Sequence, residues 1–451
     1  LPFNRSEKFV IKRIVSLGTA VVLVSSLSVT AGALAQRHKR RTVPSAQTTS
    51  NQPDQVIQWN QELQKLLVVP SAQPASVHPT RTLAITQIAV YDAVTGIEGH
   101  ADPFLVQIHA PRGASPPASA ASAARTVLDA LLPSQRSTVD QFFQSSLAQI
   151  GSGERVDQGV AYGRRVANAV LAARANDGAD ATPPVFTPLS GPGEYRLTPP
   201  AFAPAGFTQT PHVTPFVLHS AGQFRAAAPP ALGSAQYAAD FGQVKSLGEL
   251  NSSTRTADET AIGKFWGAAP IWIVWNQVAD QAAIGFRNSL ARNARLFAAL
   301  DTTLADGAIA LYDSKYAYHR WRPITAITAI DQGNPNTMAD PNWVPLANTA
   351  NDPSYPGAHA EFSQAAATVL QDFFGTDAFS FSLSNQNVNI TRAFTSFSQA
   401  ADEASESRIF AGQHFQYDQN AGQAQGSQVA DFVLDSAFRS PGDRGHDGKR
   451  G

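Results

Sequence analysis

Residues 407–418 read SRIFAGQHFQYD and set an arginine, a histidine and a carboxylate within one short span. Arg408 precedes His414 by six residues and Asp418 follows it by four. At roughly 100° per residue, that spacing predicts His414 and Asp418 on one helix face, with Arg408 about a third of a turn away. A carboxylate one turn along accepts the proton of one imidazole nitrogen. The other nitrogen then keeps a lone pair, able to attack phosphorus or to coordinate a metal centre. The neighbouring guanidinium suits a planar, doubly hydrogen-bonded oxyanion. Taken alone, a His and an Asp one turn apart are most often an ordinary hydrogen bond on a helix surface or in a core.

Two further stretches change that reading. Residues 315–323, KYAYHRWRP, place Lys315 and Arg322 seven apart, nearly eclipsed on a helix until Pro323 ends or kinks it. Residues 353–362, PSYPGAHAEF, form a turn-making Pro/Gly run that delivers His359 at the start of an apolar helix. Backbone N–H groups at such a start favour an anion. One lysine, two arginines, two histidines and a helix N-terminus together describe a pocket for a tetrahedral oxyanion.

In order and internal spacing the three stretches resemble the signature of the superfamily joining type 2 phosphatidic acid phosphatases to vanadium-dependent haloperoxidases. The matching residues are Lys315 and Arg322-Pro323, the Gly357-Ala358-His359 turn, and Ser407-Arg408 with His414 and Asp418. Tyr355-Pro356 and Arg408-Ile409-Phe410 look more like the soluble haloperoxidase branch than the membrane lipid phosphatases. One departure stands out. The family's Ser-Gly before the histidine is Gly357-Ala358 here, which removes a hydroxyl that usually donates to the bound oxyanion. Its loss costs about 1.5–3 kcal/mol if nothing replaces it, and restoring it by Gly357→Ser is expected to tighten binding.

The resemblance implies vanadate as cofactor. His414 would be the protein ligand to vanadium, Lys315, Arg322 and Arg408 would neutralise the oxygens, and Gly357 and Ala358 would offer backbone donors. Asp418 would orient His414, and His359, titrating near neutrality, would exchange protons with peroxide or an apical oxygen. The implied reaction oxidises a halide to hypohalous acid with hydrogen peroxide, an organic acceptor taking the halogen. The alternative is a secreted phosphatase without cofactor, acting on phosphate esters through a phosphohistidine at His414. A non-catalytic exported binding protein is a third reading, supported only by Gly357-Ala358.

Composition frames these expectations. The chain has 451 residues, 43% of them hydrophobic, and a net charge of -1. That describes an ordinary globular protein with no basic field for nucleic acid. It has no cysteine, which excludes disulfides, thiol catalysis and cysteine-ligated metals. Residues 1–35, basic at first, then apolar and closing on Ala33-Leu34-Ala35, read as a signal peptide. The expectation is a secreted or periplasmic protein without stable membrane association after cleavage, and Leu1, read as a non-standard start codon, suggests a bacterial gene. Residues 36–55 read as a flexible linker and 440–451 as a disordered tail.

Helical periodicity is expected at 56–68, 79–98, 118–132, 136–150 and 155–176. Residues 177–232 are a Pro/Gly-rich loop closing an N-terminal region of 56–232; its aromatics Phe186, Tyr195, Phe202 and Phe207 either wall a channel or pin the loop. A catalytic bundle follows over 233–439, with a loop at 331–352 and a polar connection around 385–389. His319 and Trp321 are expected to be packing residues. No strand pair alternates convincingly, so the predicted fold is all-α. The resemblance implies helical bundles with the oxyanion site at one end of the C-terminal bundle.

Overall fold

In the computed structural model, which describes residues 53–99, 101–268, 270–330 and 333–439, the helix α9 (Leu290–Tyr318) is shared by both halves of the chain. Ser289 caps its first turn by accepting from Arg292 N, satisfying one of the N–H groups a helix start leaves free. Leu296, Phe297, Leu300 and Leu304 on α9 are fully buried. On one side α9 packs against α2 (Pro79–Glu98), itself covered by α3 (Pro116–Leu131) and α5 (Glu154–Arg174). Alpha-helices α1 (Gln55–Leu67) and α4 (Arg136–Ile150) complete this half. On the other side α9 meets α11 (Ala358–Phe374) and α13 (Gln416–Ser436), with α12 (Phe397–Phe410) against α11 and α7 (Ala257–Gly267) against α12. The remaining helices are α6 (Ala235–Leu247), α8 (Ile271–Gly285) and α10 (Pro323–Thr328). One hydrophobic core runs through both halves, from Val56 to Val433.

The first two halves of this plan follow from local chemistry. Pro79 opens α2 at a position that needs no N–H donor, and Gly99 closes it in the left-handed region at φ 67°. Thr256 and Glu259 form a reciprocal capping box at α7. The predicted helices at 79–98 and 136–150 coincide with α2 and α4.

Among the described residues the fold is all-α apart from one antiparallel hairpin, β1 (Ala378–Asn385) and β2 (Ile390–Ser396), where the sequence reading placed only a polar connection. Phe381 faces Phe394 across the strands, both are buried, and Phe381 packs on Phe397 of α12. Residues 177–232 are irregular as expected, with one short 3-10 turn, Thr210–His212. Of Phe186, Tyr195, Phe202 and Phe207, three pin the loop. Phe186 packs on Tyr195, Tyr316 and His319, Tyr195 is buried, and Phe207 packs on Tyr312, while Phe202 is exposed. Trp321 is buried and donates to the Tyr237 hydroxyl, a packing role like that of His319 against Phe186.

Two glycines bring α13 against the start of α11. A Cβ at Gly422 would stand 2.4 Å from the Gly357 carbonyl oxygen, and one at Gly426 would stand 2.3 Å from that of Glu361. Only hydrogen fits there, so these positions hold the α11 N-terminus beside the first turn of α13. The expectations for residues 1–35, for most of 36–55 and for 440–451 lie outside the described residues. Among the described residues no helix is long and apolar enough to cross a membrane.

Candidate active site

The two motif helices predicted from spacing are each broken, and the breaks build the site. Helix α9 ends at Tyr318, where His319 takes a left-handed φ of 47°. Arg322 therefore does not sit two turns above Lys315 on one helix; it is the residue before α10. Likewise α12 ends at Phe410, Gly412 turns the chain at φ 74°, and α13 begins at Gln416. Arg408 lies in the last turn of α12, His414 in the connection and Asp418 in the first turn of α13. Left-handed residues are invisible to helical periodicity, which is why spacing alone extended both helices.

The residues converge nonetheless. His414 Nδ1 lies 3.0 Å from Asp418 Oδ2, and its Nε2 lies 2.8 Å from Arg322 Nη1. Because a guanidinium can only donate, Nε2 is the acceptor and the proton sits on Nδ1, facing the carboxylate. That is the tautomer the sequence anticipated, with its lone pair directed among the cations. Asp418 Oδ2 also accepts from the Ser354 hydroxyl at 2.5 Å and from Phe415 N at 3.0 Å. Burial pushes the Asp418 carboxyl up to about 6, against the lowering effect of Ser354 and Phe415. His414 is held well below the ordinary imidazole range by burial and then by Arg322, Lys315 and Arg408.

Asp352 is the acidic centre the sequence reading missed, having left it at the end of a loop. Its carboxylate pairs with Arg322 Nη2 at 2.5 Å and Lys315 Nζ at 3.0 Å, and its backbone oxygen accepts from Arg322 Nε at 2.8 Å. Lys315 donates further to the carbonyls of Pro353 at 2.5 Å and Ser354 at 3.2 Å. Burial would raise Asp352, but Lys315 and Arg322 outweigh it and hold the carboxyl below its ordinary value. Burial brings Lys315 down to about 8 despite Asp352. Only the convergence of three segments reveals this residue.

Arg408 has no such counterion. It is 5% exposed, its Nη2 donates to Gln413 Oε1, and its Nε and Nη1 are buried with no partner among the described residues. Burial, then Arg322, lowers it to about 9 against a smaller opposing effect of Asp352, the direction expected of a desolvated charge with no ion-pair partner in contact. Gln413, also missed from sequence, ties the two arginines together, since its backbone oxygen accepts from Arg322 Nη1 at 3.1 Å.

His359 lies in the first turn of α11 as predicted, and its Nε2 is 3.1 Å from the Trp266 carbonyl oxygen. It therefore donates from Nε2. Burial, then Arg408, holds it well below the ordinary histidine range, so the expected titration near neutrality is not what this environment gives. Gly357 precedes α11 with no side-chain cap, and its N–H donates to the Asp418 carbonyl at 2.8 Å. The expected gain from Gly357→Ser meets an obstacle: a Cβ at Gly357 would stand 2.5 Å from Gln419 Nε2. Lys315, Arg322, Arg408, His359, His414 and Asp418 thus lie in one buried cluster, with Gly357 bonded to the Asp418 backbone beside it. Among the described residues no group of three or more His, Asp or Glu could hold a metal ion directly.

Comparison with known proteins places the chain's fold and sequence among relatives. Residues 295–441 match the family model of the VCPO second helical-bundle domain. The vanadium chloroperoxidase of Curvularia inaequalis is 30% identical over 152 residues, a match covering 28% of this chain and 24% of that protein. The match thus spans about a quarter of the relative's length. The fold is similar to the crystal structure of a bacterial vanadium-dependent iodoperoxidase, with a TM-score of 0.74 at 24% identity over 85% of this chain and 96% of the other. A holo-type bacterial vanadium-dependent chloroperoxidase gives a TM-score of 0.64 at 16% identity, covering 85% and 97%. By domain, sequence and fold the chain resembles the vanadium-dependent haloperoxidases, and its residues 295–441 match a second helical-bundle domain of that type.

Proposed function

We propose that this chain is a vanadium-dependent haloperoxidase that binds vanadate between α9, α11 and the α12–α13 connection and oxidises a halide with hydrogen peroxide. The observation that carries the proposal is Arg408, a buried guanidinium with two N–H-bearing nitrogens unpartnered and no carboxylate beside it. Such a group is costly to bury and becomes favourable when an oxyanion meets it. The surrounding donors fit the same guest: Lys315, Arg322 and the α11 N-terminus on the oxygens, and the lone pair of His414 Nε2 as the metal ligand. When bound, vanadate supplies Lewis-acid activation of peroxide without a change in metal oxidation state.

The protein's own residues then have distinct tasks. Asp418 holds the His414 Nδ1 proton and so keeps Nε2 available, while Ser354 holds Asp418. Arg322 must yield the His414 lone pair it now hydrogen-bonds and turn that N–H to the guest. Lys315, shared with Asp352, can shift its charge between the carboxylate and an oxyanion oxygen. His359, neutral here, would rise in pKa beside bound negative charge and take or return a proton at its Nδ1.

The phosphatase reading uses the same cations but requires His359 to carry a proton to the leaving oxygen. Bound phosphate would raise the His359 pKa as vanadate would, so what favours the first reading is the similarity to vanadium haloperoxidases in domain and sequence. Vanadium content after vanadate incubation, measured beside phosphomonoester turnover, tests the proposal. Stoichiometric vanadium with negligible turnover is expected; brisk turnover with vanadate acting only as an inhibitor would overturn it.

A further inference from the structure

The turn that opens α11 carries no side-chain donor of its own, and another helix fills the place. Gln419 follows Asp418 on α13, is 1% exposed, and lies with Gly422 and Gly426 on the face turned to the start of α11. Its amide stands over Gly357. A Cβ on Gly357 would meet Nε2 at 2.5 Å, Oε1 at 2.8 Å and Cδ at 2.9 Å. The space a serine side chain would need at 357 is therefore the space the glutamine amide already uses.

Neither amide atom has a hydrogen-bond partner among the described residues. A buried primary amide with both ends unpaired is unfavourable, and such a group calls for a partner. What surrounds this one indicates the partner. The N–H groups of Ala358, His359 and Ala360, in the first turn of α11, meet no acceptor among the described residues. Asp418, next in sequence, positions His414. The helix N–H groups and the amide Nε2 are donors, while Oε1 can accept, and the ligand class the donors share is an oxyanion.

We propose that Gln419 Nε2 donates to the bound oxyanion, taking the role of the hydroxyl that Gly357 lacks. This rests on the reading of the pocket as an oxyanion site, though not on whether the guest is vanadate or phosphate. Gln419 and Gly357 then form one unit: the glycine is small because the glutamine occupies its side-chain volume.

The test is calorimetric titration of vanadate and, separately, inorganic phosphate into the full chain and four variants, with folding followed by near-UV circular dichroism. Gln419→Met keeps the volume and removes the amide; Gln419→Ala removes both. Each is expected to weaken both anions by about 10- to 100-fold, the effect of losing one hydrogen bond to a charged group. Gly357→Ser alone should give no gain, because its side chain displaces the amide. In Gly357→Ser/Gln419→Ala the hydroxyl has room and should recover most of the lost affinity. Wild-type affinity in a folded Gln419→Met or Gln419→Ala variant would overturn the inference. So would a Gly357→Ser effect that is the same with and without Gln419. If the wild-type chain binds neither anion, the oxyanion reading itself falls, and this inference with it.

Discussion

Asp352→Asn perturbs the one carboxylate that competes with a bound oxyanion for cations. In the native site the Asp352 carboxylate stands 2.5 Å from Arg322 Nη2 and 3.0 Å from Lys315 Nζ, and all three groups are buried. Removing one partner of a buried pair costs about 3–5 kcal/mol, and the amide's remaining carbonyl places the loss near ~3 kcal/mol. The same change removes repulsion toward the guest. At an effective dielectric of about 20, two unit charges roughly 6 Å apart repel by ~3 kcal/mol, so oxyanion affinity should rise about 100-fold. The variant is therefore predicted to melt below wild type without added oxyanion and to regain more of its Tm on titration with vanadate. Thermal unfolding across a vanadate series, paired with calorimetry, measures both arms. The sign also holds in pH. A carboxyl depressed in the folded state stabilises above its unfolded value near 4, and that contribution disappears as pH falls through the folded value. The wild-type advantage should thus vanish in strong acid. An Asp352→Asn protein with unchanged Tm and oxyanion affinity within twofold of wild type would refute this reasoning.

Arg408→Met should raise Tm by removing a buried, unpaired charge, yet lower oxyanion affinity at least about 100-fold; calorimetry and thermal unfolding read both. Ser354→Ala removes a donor from Asp418, whose carboxyl already stands at about 6. Since Asp418 must be anionic to hold His414, oxyanion affinity should fall as pH drops through that value, and the midpoint should move upward in the variant when binding is titrated against pH. His414→Ala should retain weak oxyanion binding through the three cations while removing most halide oxidation; a trappable phosphohistidine in the wild type, lost in the variant, would instead favour the phosphatase.

How far the sequence reached depends on what each feature is made of. Helices α2 and α4 were legible because local signals, such as the Pro79 start and Gly99 stop of α2, coincide with periodicity. The site residues were legible as types, since Lys315, Arg322, His359, Arg408, His414 and Asp418 do lie close together in one buried cluster. Their backbone was misread. His319 and Gly412 reverse the chain where a period of 3.6 expects it to continue. The hairpin did leave a trace, because Phe379, Phe381 and Leu383 alternate with serines. A burial pattern of that length was simply outweighed by the helical surroundings. Asp352 and Gln419 could not be read, as each acquires meaning from a segment distant in sequence, and Gln413, though beside Arg408, shows its link to Arg322 only in the fold.

The most direct test of the account is halogenation of an indicator dye by wild-type protein loaded with vanadate and given hydrogen peroxide with bromide or iodide. The account predicts halogenation that requires vanadate and is suppressed by excess phosphate, because both anions compete for Lys315, Arg322, Arg408 and His414. No halogenation with any halide, from protein that binds vanadate stoichiometrically, would contradict it.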